Sequence, residues 1–329
     1  MSTAAIYGFG GRLTAAFPSQ VLMDITEICN LECIHCPHPT FKQSAHYAAR
    51  HLDPDLNAKM VDEVRRHGHG VTQYIRYASN GEPLVHPHAY DMLDDAVRHS
   101  GVYVTLTTNG TIMNEQRTTR LLEAGVHMID ISIDAFRPET YARIRRRGKL
   151  PVTRENVLRL IAWVREARAA TKIVVSFVEQ AENSAEAADF ESYWRDQGVD
   201  SVVIRRQHSC SGAMVALADV RRGRNAQAER KPCLYPWERI VVTAPGDLAF
   251  CPSDWVHGSR LADYRATTIL DTWRGESYTR LRQAHLANDY AAHAFCAQCP
   301  DWEATRWPGE GRSYADLVEE FATQEAAAP

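Results

Sequence analysis

Residues 21–36, VLMDITEICNLECIHC, run from an apolar stretch that reads as a strand directly into three cysteines, Cys29, Cys33 and Cys36. Three residues fill the first gap and two the second. A closed structural metal site takes four protein ligands. Three thiolates at this spacing can instead hold three irons of a cubane iron-sulfur cluster, leaving the fourth iron open to a substrate or cofactor. The competing reading is a zinc site completed by His35 or His38.

VLMDIT (21–26) is the first of six strand signals. TQYIRYA (72–78), VYVTLTT (102–108), MIDISID (128–134), KIVVSFV (172–178) and SVVIRR (201–206) follow, each rich in apolar or β-branched residues. Between them LNAKMVDEVRRHG, AYDMLDDAVRHSG, NEQRTTRLLEAG, ENVLRLIAWVREARAA and SAEAADFESYWRDQG carry apolar residues at helical spacing, and several end in a glycine suited to a left-handed cap. Six strand and helix repeats predict an α/β fold with a parallel sheet, right-handed crossovers and functional residues at the strands' C-terminal ends. A closed eight-stranded barrel would need two more units. After Gly212 the alternation stops. The expected division is a leader over 1–20, a barrel-like domain over 21–211, a polar Arg-rich linker and small cysteine-bearing module over 212–300, and a tail over 301–329 containing the helical stretch SYADLVEEFATQ.

A chain of 329 residues, 45% hydrophobic, can bury a large core. Its net charge of -4 offers no global attraction to nucleic acid or an anionic membrane, so neither is an expected partner. No window approaches the apolar length of a membrane span and no secretory signal is evident, so the expected location is cytoplasmic. There, clustered thiols bind metal or do chemistry more readily than they form disulfides. The eight cysteines fall into Cys29, Cys33 and Cys36, then Cys233, Cys251, Cys296 and Cys299, with Cys210 left over.

The motif CxxxCxxC after the first strand of a six-unit β/α chain resembles the radical S-adenosylmethionine (SAM) superfamily. The resemblance implies a partial (β/α)6 TIM-like barrel. It also implies a 4Fe-4S cluster on Cys29, Cys33 and Cys36 whose open iron is chelated by SAM, and reductive cleavage of SAM to methionine and a 5'-deoxyadenosyl radical. An external low-potential donor such as flavodoxin or ferredoxin would supply electrons. NGEP (80–83) stands where the family has GGEP, which assigns Gly81 and Glu82 to the SAM amino group and puts Asn80 in place of a family glycine. Asn109 in TTNGT, and Ser132 and Asp134 in SIDAF, look like the family's cofactor-facing strand ends. Ser132 and Asp134 alternate onto one face of a strand, so both are expected to point inward. Arg145 or Arg146 is assigned to the SAM carboxylate.

Two dispersed thiolates and the pair in CAQC make a four-sulfur site, for which zinc and iron-sulfur are both open. Following such a barrel, PCLYPWERIVVTAPGDLAFCPSD resembles the opening of the SPASM extension. With four candidate ligands the resemblance is to its shortened form, the twitch domain, implying a second 4Fe-4S cluster on Cys233, Cys251, Cys296 and Cys299. Barrel-plus-twitch relatives include epimerases and dehydrogenases of cyclitols and aminoglycosides. Both begin by abstracting hydrogen from a carbinol carbon, and an epimerase then needs a thiol to return hydrogen to the opposite face. Cys210, in RRQHSCSG after strand six, meets that need, with Arg205, Arg206 and His208 nearby for substrate hydroxyls or proton transfer. The expected function is epimerisation of a sugar or aminoglycoside, with a dehydrogenase, a peptide-modifying enzyme and a zinc-stabilised binding module as alternatives.

Overall fold

The computed structural model describes residues 16–78, 80–225, 228–302 and 313–326. Most of the expected leader (1–15), two linker residues (226–227) and parts of the tail (303–312 and 327–329) lie outside the described residues.

All six expected strands form. They are β1 (Gln20–Met23), β3 (Tyr74–Tyr77), β4 (Tyr103–Thr108), β5 (Met128–Ser132), β7 (Lys172–Glu179) and β8 (Ser201–Arg206), paired parallel in that order. Two-residue strands β2 (Glu32–Cys33) and β6 (Arg145–Arg146) form a separate antiparallel pair. Crossover helices span Pro54–Glu63, Ala89–His99, Glu115–Glu123, Leu150–Glu166 and Ala187–Gln197. Local chemistry sets their ends: Asp53 and Asn114 cap the first and third by accepting from Asp55 N and Arg117 N, and Gly198 ends the fifth at φ 82°.

The sheet's two faces are covered differently. Ile75, Val104, Ile129 and Ile173 pack against the crossover helices in the main core. Tyr74, Tyr103, Met128 and Val174 alternate onto the other face, the inside of the partial barrel, and pack there against Leu317, Val318 and Phe321. These three belong to the tail helix Tyr314–Ala326, which closes the barrel interior from below. The stretch SYADLVEEFATQ thus forms its expected helix and completes the core.

After Gly212 the linker contains a helix, Val215–Asn225. The cysteine-bearing module shares the sheet of the barrel. Its strand β9 (Arg239–Val242) pairs parallel with β1, Val21 opposite Ile240, and β10 (Asp247–Ala249) and β11 (Arg260–Asp263) continue one nine-stranded sheet. The physical reason is the open edge of β1, whose unpaired backbone groups the hairpin satisfies.

Removing the buried ring of Phe321, by Phe321→Ala, is expected to cost about 3 kcal/mol of stability by equilibrium denaturation, within the usual range for a core aromatic. A loss below about 1 kcal/mol would show that the tail helix does not close the barrel.

Candidate active site

The cysteine loop leaves β1 and is held by the short ladder of β2 and β6, with Cys33 opposite Arg145 and Glu32 opposite Arg146. Ile34 N donates to Ile144 O at 2.9 Å, Cys36 N to Cys33 O at 3.2 Å, and Leu31 N to the Cys29 sulfur at 3.5 Å. None of the eight cysteines is in a disulfide. Burial pushes the Cys29 thiol up to about 12 and holds the Cys36 thiol well above its ordinary value. A thiolate here therefore needs a cation, which coordinated iron supplies by deprotonating the thiol outright.

His38 Nε2 donates to Glu27 O at 2.8 Å and its Nδ1 is buried without a partner, while His35 lies between Asp134 Oδ2 (3.2 Å) and Gln180 Nε2 (3.3 Å). Among the described residues no three His, Cys, Asp or Glu side chains are set to grip a single ion. Thiolates on a cubane each sit on a different iron and stand farther apart, so this donor set fits the cluster.

NGEP packs directly onto the cysteine loop. Glu82 N donates to Ile28 O at 2.9 Å, and a Cβ on Gly81 would stand 2.1 Å from Thr26 O and 2.6 Å from Ile28 O. Glycine is thus required for close approach. Asn80, the departure from the family's glycine, donates through Nδ2 to Asp254 O at 3.1 Å and so ties this loop to the segment after β10. The Glu82 carboxylate is buried and occupied. It accepts from Thr108 Oγ1 (2.6 Å), Leu84 N (3.2 Å) and Asn109 N (2.8 Å), which fixes the loop against the end of β4. Asn109 Nδ2 in turn donates to Asn30 Oδ1 at 2.8 Å. Asn30, directly after Cys29, is a site residue that sequence reasoning missed.

Ser132 ends β5 and is partly exposed on the inner face. Asp134 does not continue that alternation. It has φ 63° and no solvent exposure, and its carboxylate accepts from Arg145 Nε (2.8 Å) and Val178 N (2.7 Å). Arg145 Nη2 also reaches Asp134 Oδ2, at 2.5 Å. Asp134 and Arg145, both expected to face SAM, thus form a buried pair beside Cys33, and Arg146 is exposed. His35 joins the pair, and burial pushes its imidazole down to about 4, so it is neutral there.

Cys233, Cys251, Cys296 and Cys299 converge on one cavity of about 100 Å³, shared with Phe250 and His285. His285 Nδ1 accepts from Cys233 N at 3.2 Å, which puts the proton on Nε2, and that buried atom has no hydrogen-bond partner. A cavity with four thiols and an orphaned donor fits a group rich in sulfur acceptors, as a fully ligated cluster is.

Cys210 lies between the two thiol sets. It packs against Phe41, Trp255 and Cys36, while Ser211 Oγ stands 3.5 Å from the Cys251 sulfur. Its loop is tightly specified: Cys210, Ser211 and Gly212 have φ of 54°, 57° and 102°. Asp301, next after Cys299 and Pro300, accepts from Ser209 N (3.0 Å), Ser209 Oγ (2.8 Å) and Ser211 N (2.8 Å). Burial pushes the Cys210 thiol up to about 12, so it carries its hydrogen at neutral pH. His208 Nδ1 accepts from Cys210 N at 3.1 Å, Arg205 is engaged with Asp130, and Arg206 is exposed.

Two substitutions check these assignments. Arg145→Met leaves Asp134 a buried unpaired charge and is expected to cost about 3 to 5 kcal/mol in the cluster-free protein, measured by denaturation; unchanged stability would return Arg145 to a purely SAM-binding role. Gly81→Ala forces the loop off the Thr26 and Ile28 carbonyls and is expected to lower iron and sulfide content per chain after anaerobic reconstitution, with the fold retained by circular dichroism.

The profile of the radical SAM superfamily matches residues 23–189, and that of SPASM, an iron-sulfur cluster-binding domain, matches residues 233–300. A tungsten-containing aldehyde ferredoxin oxidoreductase cofactor-modifying protein of Pyrococcus furiosus is 28% identical over 185 residues, 55% of this chain and 49% of that protein. The matched region spans 34% to 55% of the length of such curated relatives. The crystal structure of BtrN with AdoMet and 2-DOIA superposes with a TM-score of 0.55 at 16% identity, over 85% of this chain and 92% of BtrN. Streptococcus suis SuiB bound to S-adenosylmethionine gives 0.59 at 12% identity, over 92% and 75%. Likeness at these identities speaks for the fold. No helix among the described residues is long and apolar enough to cross a membrane. With its three-cysteine loop at the end of β1 and a four-thiol cavity beyond the barrel, the chain belongs to the radical SAM superfamily and carries a SPASM-type iron-sulfur domain.

Proposed function

We propose that this enzyme inverts a carbinol carbon of a sugar or aminoglycoside-type glycoside, with Cys210 as the hydrogen-atom donor. The observation that carries the reading is the place of Cys210, outside both cluster-ligand sets, at the barrel rim between them. Cys29, Cys33 and Cys36 would hold a 4Fe-4S cluster, which with SAM and one electron would supply a 5'-deoxyadenosyl radical to take the hydrogen atom of the substrate carbon, leaving 5'-deoxyadenosine and a carbon radical. The S–H bond of Cys210 then breaks homolytically and its hydrogen joins the opposite face, leaving a sulfur radical that one electron and one proton restore to the thiol. An external low-potential donor, a flavodoxin or ferredoxin, provides both electrons. The buried packing around Cys210 shields its sulfur from water.

The chemistry divides sharply from that of a dehydrogenase, in which the same carbon radical loses a proton and an electron to become a ketone. With reduced enzyme, SAM and candidate glycosides in deuterated water, the epimer is expected to gain one deuterium at the inverted carbon. Cys210→Ala is expected to lower epimer to background while 5'-deoxyadenosine still forms. Unlabelled ketone as the sole wild-type product, or labelled epimer formed normally by Cys210→Ala, would overturn the assignment.

A further inference from the structure

The inner face of the sheet carries charges that neither the cluster loops nor Cys210 uses. Arg76 of β3, Asp130 of β5 and Arg205 of β8 meet inside the barrel, between the floor made by Met128, Val174 and the tail helix and the rim at Asp134. Asp130 has no solvent exposure and accepts from Ser176 Oγ and from Arg205 Nη2 (2.8 Å), with Arg76 Nη2 at 3.6 Å. Arg76 donates through Nε and Nη2 to Thr107 Oγ1 (3.1 and 2.9 Å) and lies flat over the Tyr314 ring at 3.7 Å. One carboxylate thus serves two guanidiniums, leaving one positive charge.

That charge is accessible. The Arg76 and Arg205 side chains are 18% and 32% exposed although they stand on the inner face. Arg76 Nη1 and Arg205 Nε and Nη1 make no hydrogen bond with the described residues and are not among the buried orphan atoms. The carboxylates around them are committed: Asp134 to Arg145, Glu82 to Thr108 and Asn109, Asp301 to Ser209 and Ser211. A polycationic aminoglycoside would find two arginines and none of these acids free. An oxyanion would complete the donor set, because a guanidinium fork matches a carboxylate or phosphate edge, and the Tyr314 ring fixes the plane of one fork.

We propose that Arg76 and Arg205 form an anion-binding subsite, so that the sugar on which this enzyme acts carries a carboxylate or a phosphate held inside the barrel while its reacting carbon faces the rim. This rests on the reading of the chain as an enzyme of sugars, and it replaces a cationic substrate with an anionic one.

The test uses the holoenzyme with both clusters assembled and SAM present, without reductant. Titration calorimetry compares four matched hexoses: glucuronate, glucose 6-phosphate, glucose and glucosamine. At least one anionic sugar is expected to bind roughly tenfold or more tightly than glucose, with glucosamine weakest. Which anion leads separates carboxylate from phosphate. Arg205→Gln and Arg76→Gln are expected to erase the preference, and Arg205→Lys to keep part of it, with SAM affinity and cluster absorption as the controls for folding. Equal affinities across the series, no binding by any member, or an anion preference that survives Arg205→Gln overturns the inference. Because binding is read without turnover, the two proposals fail separately. An anionic sugar bound through Arg205 but converted only to ketone would defeat the epimerase, whereas labelled epimer from a neutral sugar, undisturbed by Arg205→Gln, would defeat the anion site.

Discussion

Asp134 and Arg145 hold the cluster loop against the barrel. Taking both charges out of water costs several kcal/mol for each ion, so the pair persists only where every remaining bond is made. Here they are made: Asp134 receives two nitrogens of Arg145 and the backbone N–H of Val178, while its own carbonyl accepts from Asn183 Nδ2 at 2.8 Å. These partners also hold Asp134 at φ 63°, an uncommon conformation for a non-glycine residue. Arg145 lies opposite Cys33 in the β2–β6 ladder, so the pair joins the ends of β5 and β7 to the loop that presents the thiols. A loop of this kind would otherwise lose order when its thiols are not ligated.

The six strands were legible because a parallel sheet covered by helices needs continuous apolar or β-branched runs at regular spacing, and VYVTLTT or KIVVSFV reads as nothing else. The cysteine sets were legible from spacing. What escaped were partnerships between residues far apart in the chain. Pairing of β9 with β1 joins Ile240 to Val21, and no local pattern in ERIVVTA announces which edge it will cover. Asp134 read as a continuation of MIDIS because alternation assumes an unbroken strand, and its left-handed φ breaks it. Arg76 drew no separate reading within TQYIRYA, yet it is an inward residue that meets Asp130 above the apolar floor. Asn30 carried a faint signal, its position directly after Cys29, but its partner Asn109 is 79 residues away.

The loop at Cys210 shows how the two iron-sulfur regions become one machine. Asp301 follows Cys299 by two positions and receives three donors from Ser209 and Ser211, so any movement of the CAQC segment is transmitted to the residues on either side of Cys210. Ser211 at the Cys251 sulfur adds a second tie to the same cavity. A thiol that must meet a carbon radical within hydrogen-transfer range has to be placed precisely, since a displacement of about 1 Å can cost two orders of magnitude in rate. Three consecutive left-handed residues give the loop little freedom to wander, and the four-thiol cavity supplies the frame to which it is fastened.

The tail helix bears on what can enter. By packing Leu317, Val318 and Phe321 on Tyr74, Tyr103, Met128 and Val174, it closes the barrel from below and leaves the charged layer of Arg76, Asp130 and Arg205 above an apolar floor. A polar group placed there is partly desolvated, which strengthens its pairing with a guanidinium relative to bulk water. The same arrangement penalises an unmatched charge. An amine finds no uncommitted acceptor in that layer, because Asp130 is already shared by two arginines. Closure from below and charge in the middle therefore act together, favouring an acidic group over a basic one in that layer.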